Sequence, residues 1–448
     1  MKNHKILTLL FLISFVVLSC RSKKEIQTDN YTFIDSTGTI SAQLINQQRT
    51  TLSNQIKNPN IKTVLCHKKG DELTLAMINL SSEEKITISF DELNSERKNY
   101  IFTITHCNSD WKSSNLMKSE YIEGFTEEYI SNYEFSFNTL QKYIHYQFDF
   151  PTINMKPILS GNYIFKIYEE NGDTIIYKRF MVLNKRLHVQ ANVRRATLAE
   201  DRYTKHEIDF TIKHPNLIIA DPFADIKVHI KQNNREDNAI TGLTPKFVRN
   251  DELSYDYDEG NTFWGNNEFR DFDIRSLRYQ SKRIKNIDSD STYNHIYLFN
   301  DKKRPFDRYS IFEIDINGNF IIESQEGWKS SIESDYAFVH FSLPVDNISY
   351  GDLYLLGAFS DWELKEEFRL KYNIDQKKYQ KNVYLKQGYY NYHYALNDTI
   401  SNQVDVSFIE GTHYQTRNDY YIYVYHRAVG DRYDQLVGFL KTSSKELF

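Results

Sequence analysis

The sequence is poor in glycine and almost without cysteine, and both shortages exclude chemistry. Sixteen glycines in 448 residues form no G-x-x-x-x-G-K-[ST] and no G-x-G-x-x-G, so neither phosphate-cradling loop is present. The three cysteines make no C-x-x-C, and the histidines fall in no H-x-H or H-E-x-x-H spacing, so no metal-binding motif is present. No heptad run is found, and no amphipathic pattern longer than about three helical turns. Charge is nearly balanced, with 55 Lys and Arg against 60 Asp and Glu and a net charge of −5. That leaves no broad basic field for nucleic acid.

Apolar runs are scarce too, with one exception at the start. Lys2 and Lys5 flank the opening of a stretch from Ile6 to Leu18 broken only by Thr8 and Ser14. A membrane-spanning helix needs about 20 apolar residues, so this run reads as a secretory h-region. It ends in Val17-Leu18-Ser19-Cys20, the pattern of a bacterial lipobox, in which the Cys thiol takes a lipid and the peptide is cut before it. The expectation is a signal peptide over 1–19, lipid attachment at Cys20 and a polar tether over 20–45. Arg21-Ser22-Lys23-Lys24 follows in place of an acidic export run. That favours a periplasm-facing protein of a Gram-negative envelope, anchored in the inner leaflet of the outer membrane. In that oxidising compartment Cys66 and Cys107 are either a disulfide or two small buried hydrophobes.

What the chain has in abundance is aromatic: 33 Tyr and 29 Phe. Such residues suit half-buried strands and interfaces. Lys85-Ile-Thr-Ile-Ser-Phe90 alternates polar and apolar, and Tyr100-Ile-Phe-Thr-Ile-Thr-His106 is dense in β-branched and aromatic residues. Asn171-Gly172 and Asn317-Gly318 sit between β runs and predict hairpins with type I′ turns. The fold class is all-β, built of tandem immunoglobulin-like or early-set β-sandwich domains. Strand clusters place these at 46–185, 186–330 and 331–448, each the size of one sandwich. The polar stretch Asn233 to Asp237 reads as an exposed loop.

Catalytic constellations are weak. His106 and Cys107 are neighbours on a strand and point to opposite faces, so they form no dyad. Asp256-Tyr-Asp258-Glu-Gly260 begins like a calcium loop, but its glycine comes one place early and the closing Glu is missing. Glu120, Glu123, Glu127 and Glu128 could hold a hydrolytic carboxylate pair, but nothing fixes their separation. The basic residues from Arg270 to Lys285 are interleaved with acids and read as a charged surface or edge strand.

Gly357-Ala-Phe-Ser-Asp-Trp362 resembles a turn of the early-set immunoglobulin domains found in starch- and glycogen-binding modules. That resemblance makes Trp362 a candidate glycan-stacking ring, against the plainer reading that it caps the sandwich. The alternative function it implies is a glycan-binding periplasmic lipoprotein.

A wider set of strings points elsewhere. His106-Cys-Asn-Ser-Asp-Trp111, Ser119-Glu-Tyr-Ile-Glu-Gly-Phe125, Asn132-Tyr-Glu-Phe-Ser-Phe-Asn-Thr-Leu140 and Leu159-Ser-Gly-Asn-Tyr163 lie in the first segment. Gly265-Asn-Asn-Glu-Phe-Arg270, Glu410-Gly411, Thr416-Arg-Asn-Asp-Tyr420 and Gly430-Asp-Arg-Tyr-Asp434 follow. Together they resemble the type IX secretion system plug proteins. The resemblance implies a non-enzymatic periplasmic plug that closes the inner mouth of the outer-membrane translocon barrel, its partner. It implies no cofactor, catalytic residue or metal ligand, and no nucleic-acid partner. The lipobox is not something the family requires and would add a membrane tether. The aromatic-rich segment gives the candidate interface: Trp111, Tyr121, Phe125, Tyr129, Tyr133 and Tyr143.

Overall fold

Alternating and aromatic runs become strands around three cores. The computed structural model describes residues 52–93, 96–310, 315–401 and 403–444. The signal segment, Cys20 and the tether lie outside the described residues, as does most of the run before Asn317. Among the described residues no α-helix exceeds one turn.

In the first core two sheets face each other. One orders Gln55–Ile56, Thr174–Leu183, Gly161–Glu169, Tyr100–Cys107 and Glu128–Tyr129. The other orders Ile61–Lys68, Ile86–Glu92, Ile144–Phe150 and Tyr133–Phe135. Inward residues at every second position fill the space between them, as the pleat requires. Phe165 stacks on Phe180 with ring centroids 4.1 Å apart, and Phe102 on Phe148 at 4.2 Å. Such ring pairs add about 0.5–1.5 kcal/mol beyond the area they bury.

The second core takes its strands from two distant parts of the chain. His188–Arg195, Lys205–Lys213, Glu252–Tyr255 and Phe247–Arg249 form one sheet. Ile240–Thr241, Ile226–Gln232, Asp419–His426 and Gln435–Ser443 form the other. The chain leaves this sandwich after Trp264, builds the third, and returns at Asp419. The expected boundary between 330 and 331 is therefore crossed. Asn294–Leu298 pairs in parallel with Tyr336–Leu343, and Ile226–Gln232 pairs antiparallel with Asp419–His426. The physical reason is that Ile226–Gln232 otherwise has only the two-residue strand Ile240–Thr241 beside it. The returning C-terminal strands cover its open edge and the core beneath.

The third core is organised by the long strand Gly388–Asp398, which pairs with Arg270–Asp273, Phe320–Ile322, Gly351–Leu356 and Gln403–Asp405. Tyr390, Tyr392 and Tyr394 alternate inward along it, all buried. The hydroxyls of Tyr392 and Tyr394 both donate to Asp301 at 2.7 Å. The two Asn-Gly turns differ. Asn317 and Gly318 both take positive φ and Asn319 N–H donates to the Ile316 carbonyl, as a type I′ turn needs. At Asn171-Gly172 only Gly172 takes positive φ, and its N–H closes a turn on Glu169. That turn is not type I′, because Asn171 keeps ordinary backbone geometry.

Burial leaves several imidazoles without room for charge. It pushes His106 and His206 down to about 4 and His393 to about 3. In the unfolded chain these groups titrate near 6.5, so below that pH the unfolded state binds more protons. The stability they contribute is complete above about pH 6.5 and is lost as pH falls toward about 4. The urea midpoint should therefore drop between about pH 7 and about pH 5, before most carboxylates titrate. A midpoint that stays level across that interval contradicts this account.

Candidate interaction site

The six aromatic candidates divide by burial. Trp111, Tyr121 and Tyr143 are 5%, 4% and 1% exposed, so they are corrected from surface to interior. Trp111 sits on a tight turn, its N–H donating to the Asn108 carbonyl at 2.9 Å. The Arg179 guanidinium lies 4.3 Å from its ring centroid. It packs in a cluster with Met181 and Leu183 of the first sandwich and Tyr421 and Tyr423 of the second. Tyr143 donates from its hydroxyl to the Ser334 carbonyl at 2.9 Å, and the Lys386 ammonium sits 4.2 Å from its ring centroid. Tyr121 packs against His106 and Tyr163. Tyr133 is half-buried beneath Arg97.

Phe125 and Tyr129 remain outside, 64% and 60% exposed. Ile122–Gly124 pairs with Met155–Pro157, and Phe125 N–H donates to the Asn154 carbonyl at 2.8 Å. This brings Phe125 beside Ile153, itself 90% exposed. Gly124 makes the approach possible, since its φ is +94° and a Cβ there would overlap the Asn154 carbonyl. The Glu128 carboxylate accepts from Thr152 at 2.7 Å and Asn154 at 3.2 Å, which pins the loop to the strand carrying Tyr129. Sequence reading missed a second exposed group: Phe135, Phe137 and the fully exposed Trp328. The i, i+2 alternation of Tyr133, Phe135 and Phe137 was the available signal. Trp328, alone in a polar run, gave none.

The catalytic candidates do not converge. His106 accepts or donates at Ser114 Oγ, 2.9 Å away, while Cys107 lies in a different cluster beside Trp111. Cys66 and Cys107 are unpaired, and burial pushes both thiols up to about 12. Glu120 pairs with Arg432, Glu127 with Lys118 and Glu128 with the loop at Thr152. Arg270 is buried, not on a surface strand, and reaches Asp301 and Glu410, each at 2.9 Å. Among the described residues no group of three or more His, Cys, Asp or Glu is arranged to hold a metal ion. One carboxyl, Asp315, is pushed up to about 7 by burial and by Glu268. Its oxygens accept the N–H groups of Phe269 and Asn317, and Tyr309 donates to Glu268. That pair holds a turn.

The strings that carry the resemblance meet at the seams between sandwiches. Ser109 donates from N–H and Oγ to Asp434, at 2.9 and 2.8 Å, and Asp434 also takes Lys227 at 2.9 Å. Asn162 accepts from the Tyr425 hydroxyl at 2.9 Å. Asn266 receives Thr416 Oγ1 on its carbonyl at 2.8 Å, and Asn418 donates to the Gly265 carbonyl at 2.8 Å. Asp91 is buried between Lys386 at 2.6 Å, His145 at 2.7 Å and the Tyr336 hydroxyl at 2.7 Å. Asn233 and Arg235, expected in an exposed loop, are buried, and Arg235 lies 5.1 Å from the Trp362 ring centroid. Trp362 is thus held by Arg235, Phe269 and the backbone at Gly318. It packs at a seam and is half-buried.

Residues 61–184 match the family described as Type 9 secretion system plug protein 1st domain. The whole fold resembles the crystal structure of a hypothetical protein from Parabacteroides merdae. The two are 32% identical with a TM-score of 0.85, and the alignment covers 88% of this chain and 100% of that one. No curated protein matches the chain.

Because Trp362 is packing, Trp362→Ala should destabilise the fold by about 3 kcal/mol, within the range for large-to-small aromatic changes. Chemical denaturation measures this. Unchanged stability, together with calorimetric heat on adding a glucan that only the wild type shows, would restore the sugar-stacking role.

Proposed function

We propose that this chain, which belongs to the type 9 secretion system plug protein family, closes the periplasmic mouth of the outer-membrane translocon barrel by docking against it. A role in type 9 secretion and a place in the cell envelope follow from the family. The plug reading rests on one observation: the matched segment, residues 61–184, is also the one that presents Phe125, Tyr129 and Ile153 to solvent. A stopper needs a stiff body and a dissociable contact. Three sandwiches joined through buried polar seams give the first. A few exposed aromatic anchors give the second, since such residues dominate the energy of protein interfaces. Cargo or another partner then needs only a few kcal/mol of competing binding to release it. The function is binding rather than catalysis. A lipid on Cys20 would keep the released plug at the membrane instead of losing it to the periplasm.

Affinity capture from detergent-solubilised envelopes tests this reading. The wild-type chain should recover a very large outer-membrane barrel protein. A Phe125→Ser, Tyr129→Ser, Ile153→Ser variant should recover about tenfold less, a loss of about 1.4 kcal/mol, while melting as the wild type does. Recovery of the bait alone by the wild type defeats the proposal.

A further inference from the structure

A cleft of about 800 Å³ opens where the three sandwiches meet, apart from the aromatic tip assigned to docking. Eight Lys and Arg line it against four Asp and Glu. The acids are already engaged. Asp361 takes Lys178 and Lys365, each at 2.8 Å. Glu236 is shared by Lys231 and by Arg179 at 3.0 Å. Glu72 accepts the Ile322 N–H at 3.4 Å, and Glu367 reaches Lys62 at 3.9 Å. Even with Lys386 already met by Asp91, the wall carries excess positive charge. Part of it is fixed in place: the side chains of Lys178, Arg179 and Lys231 are only 16%, 14% and 5% exposed.

Strand edges supply an independent observation. Residues 61–67 line the cleft consecutively rather than at every second position. A strand that lines a cavity this way turns its backbone edge to it. Ile61–Lys68 is the terminal strand of its sheet, with Ile86–Glu92 on one side and no strand on the other among the described residues. Residues 381–386 also line the cleft consecutively. They belong to Lys378–Lys386, whose outer side is paired to Lys371–Asn373 only as far as Gln380. Both edges carry the devices that deter pairing with copies of the same chain, namely Lys62, Lys68 and Lys381 and a register shift between Lys62 and Leu65. Lysines that repel a like edge attract an acidic one.

We propose that this cleft binds an extended acidic polypeptide segment, which adds a strand along one of these edges while its carboxylates meet the lysines of the wall. The claim does not depend on the barrel as partner. Fluorescence anisotropy of a labelled hexaglutamate peptide with the full chain tests it. The peptide should bind, more weakly as salt rises, and a hexalysine peptide should not. Methylating alternate backbone nitrogens of hexaglutamate removes the ladder donors and should weaken binding by about tenfold. Lys57→Glu, Lys62→Glu and Lys381→Glu together should do the same without lowering the melting temperature. Equal binding of the methylated peptide means anion attraction alone and overturns strand addition. No binding of the unmodified peptide at about millimolar concentration overturns the proposal entirely. Both of those measurements use the wild-type chain, so they stand even if the triple variant misfolds.

Discussion

A carboxylate withdrawn from water must be met by charge or by donated hydrogen bonds, and that requirement fixes how the three sandwiches sit together. Asp91 belongs to the first sandwich and its ammonium partner Lys386 to the third. Asp361 of the third is met by Lys178 of the first, and Asp434 of the second by Ser109 of the first. Burial opposes the charge on Asp361, but Lys178 and Lys365 more than offset it and hold the carboxyl at about 2. Taking an ion out of water costs several kcal/mol, and removing one partner of a buried pair typically costs about 3–5 kcal/mol. Sliding one sandwich over another would leave such charges stranded at several places together. The seams are thus specific in a way that apolar contact alone is not, since greasy surfaces tolerate small shifts.

In the proposed docking, that stiffness is what would give the exposed aromatic groups a use. Phe125 and Ile153 sit at the end of a short two-stranded ribbon held by Glu128, and that ribbon is built on the first sandwich. The strings that carry the family resemblance fall largely at the seams and in buried networks: Asn108, Ser109, Asn162, Asn266, Asn418 and Asp434 all bond across a boundary or at the crossover between sandwiches. In this chain those residues therefore serve the assembly of the sandwiches. That agrees with a body that acts through shape.

Fold class was legible because a period of two and an excess of Tyr and Phe are local properties. The opposite facing of His106 and Cys107 was legible for the same reason. Domain paths were not. That Ile226–Gln232 pairs not only with the next strand but also with one nearly two hundred positions later depends on which edge is left open in three dimensions, and no periodicity records that. The interface candidates failed in a related way. An aromatic ring that closes a seam and one that waits for a partner look alike in sequence, and Trp111 and Phe125 separate only when burial is known. Arg270 illustrates the same limit for charge: its carboxylate partners Asp301 and Glu410 are remote in sequence, so its burial could not be foreseen from its neighbours.

The cleft joins these threads. Lys178, Arg179 and Lys231 line it, and they also pair with carboxylates across or beside the seams. The full cluster exists only when the sandwiches are assembled, because Lys178 and Arg179 come from one strand of the first sandwich and Lys231 from a strand of the second. A negatively charged segment in the cleft would therefore bind the assembled body and not the separated parts. By linkage it would stabilise the assembly in proportion to the logarithm of its concentration over its dissociation constant. Charge that is costly to bury thus does two things in this architecture. It locks the sandwiches in register, and where carboxylates run short it leaves a positive field enclosed by open strand edges.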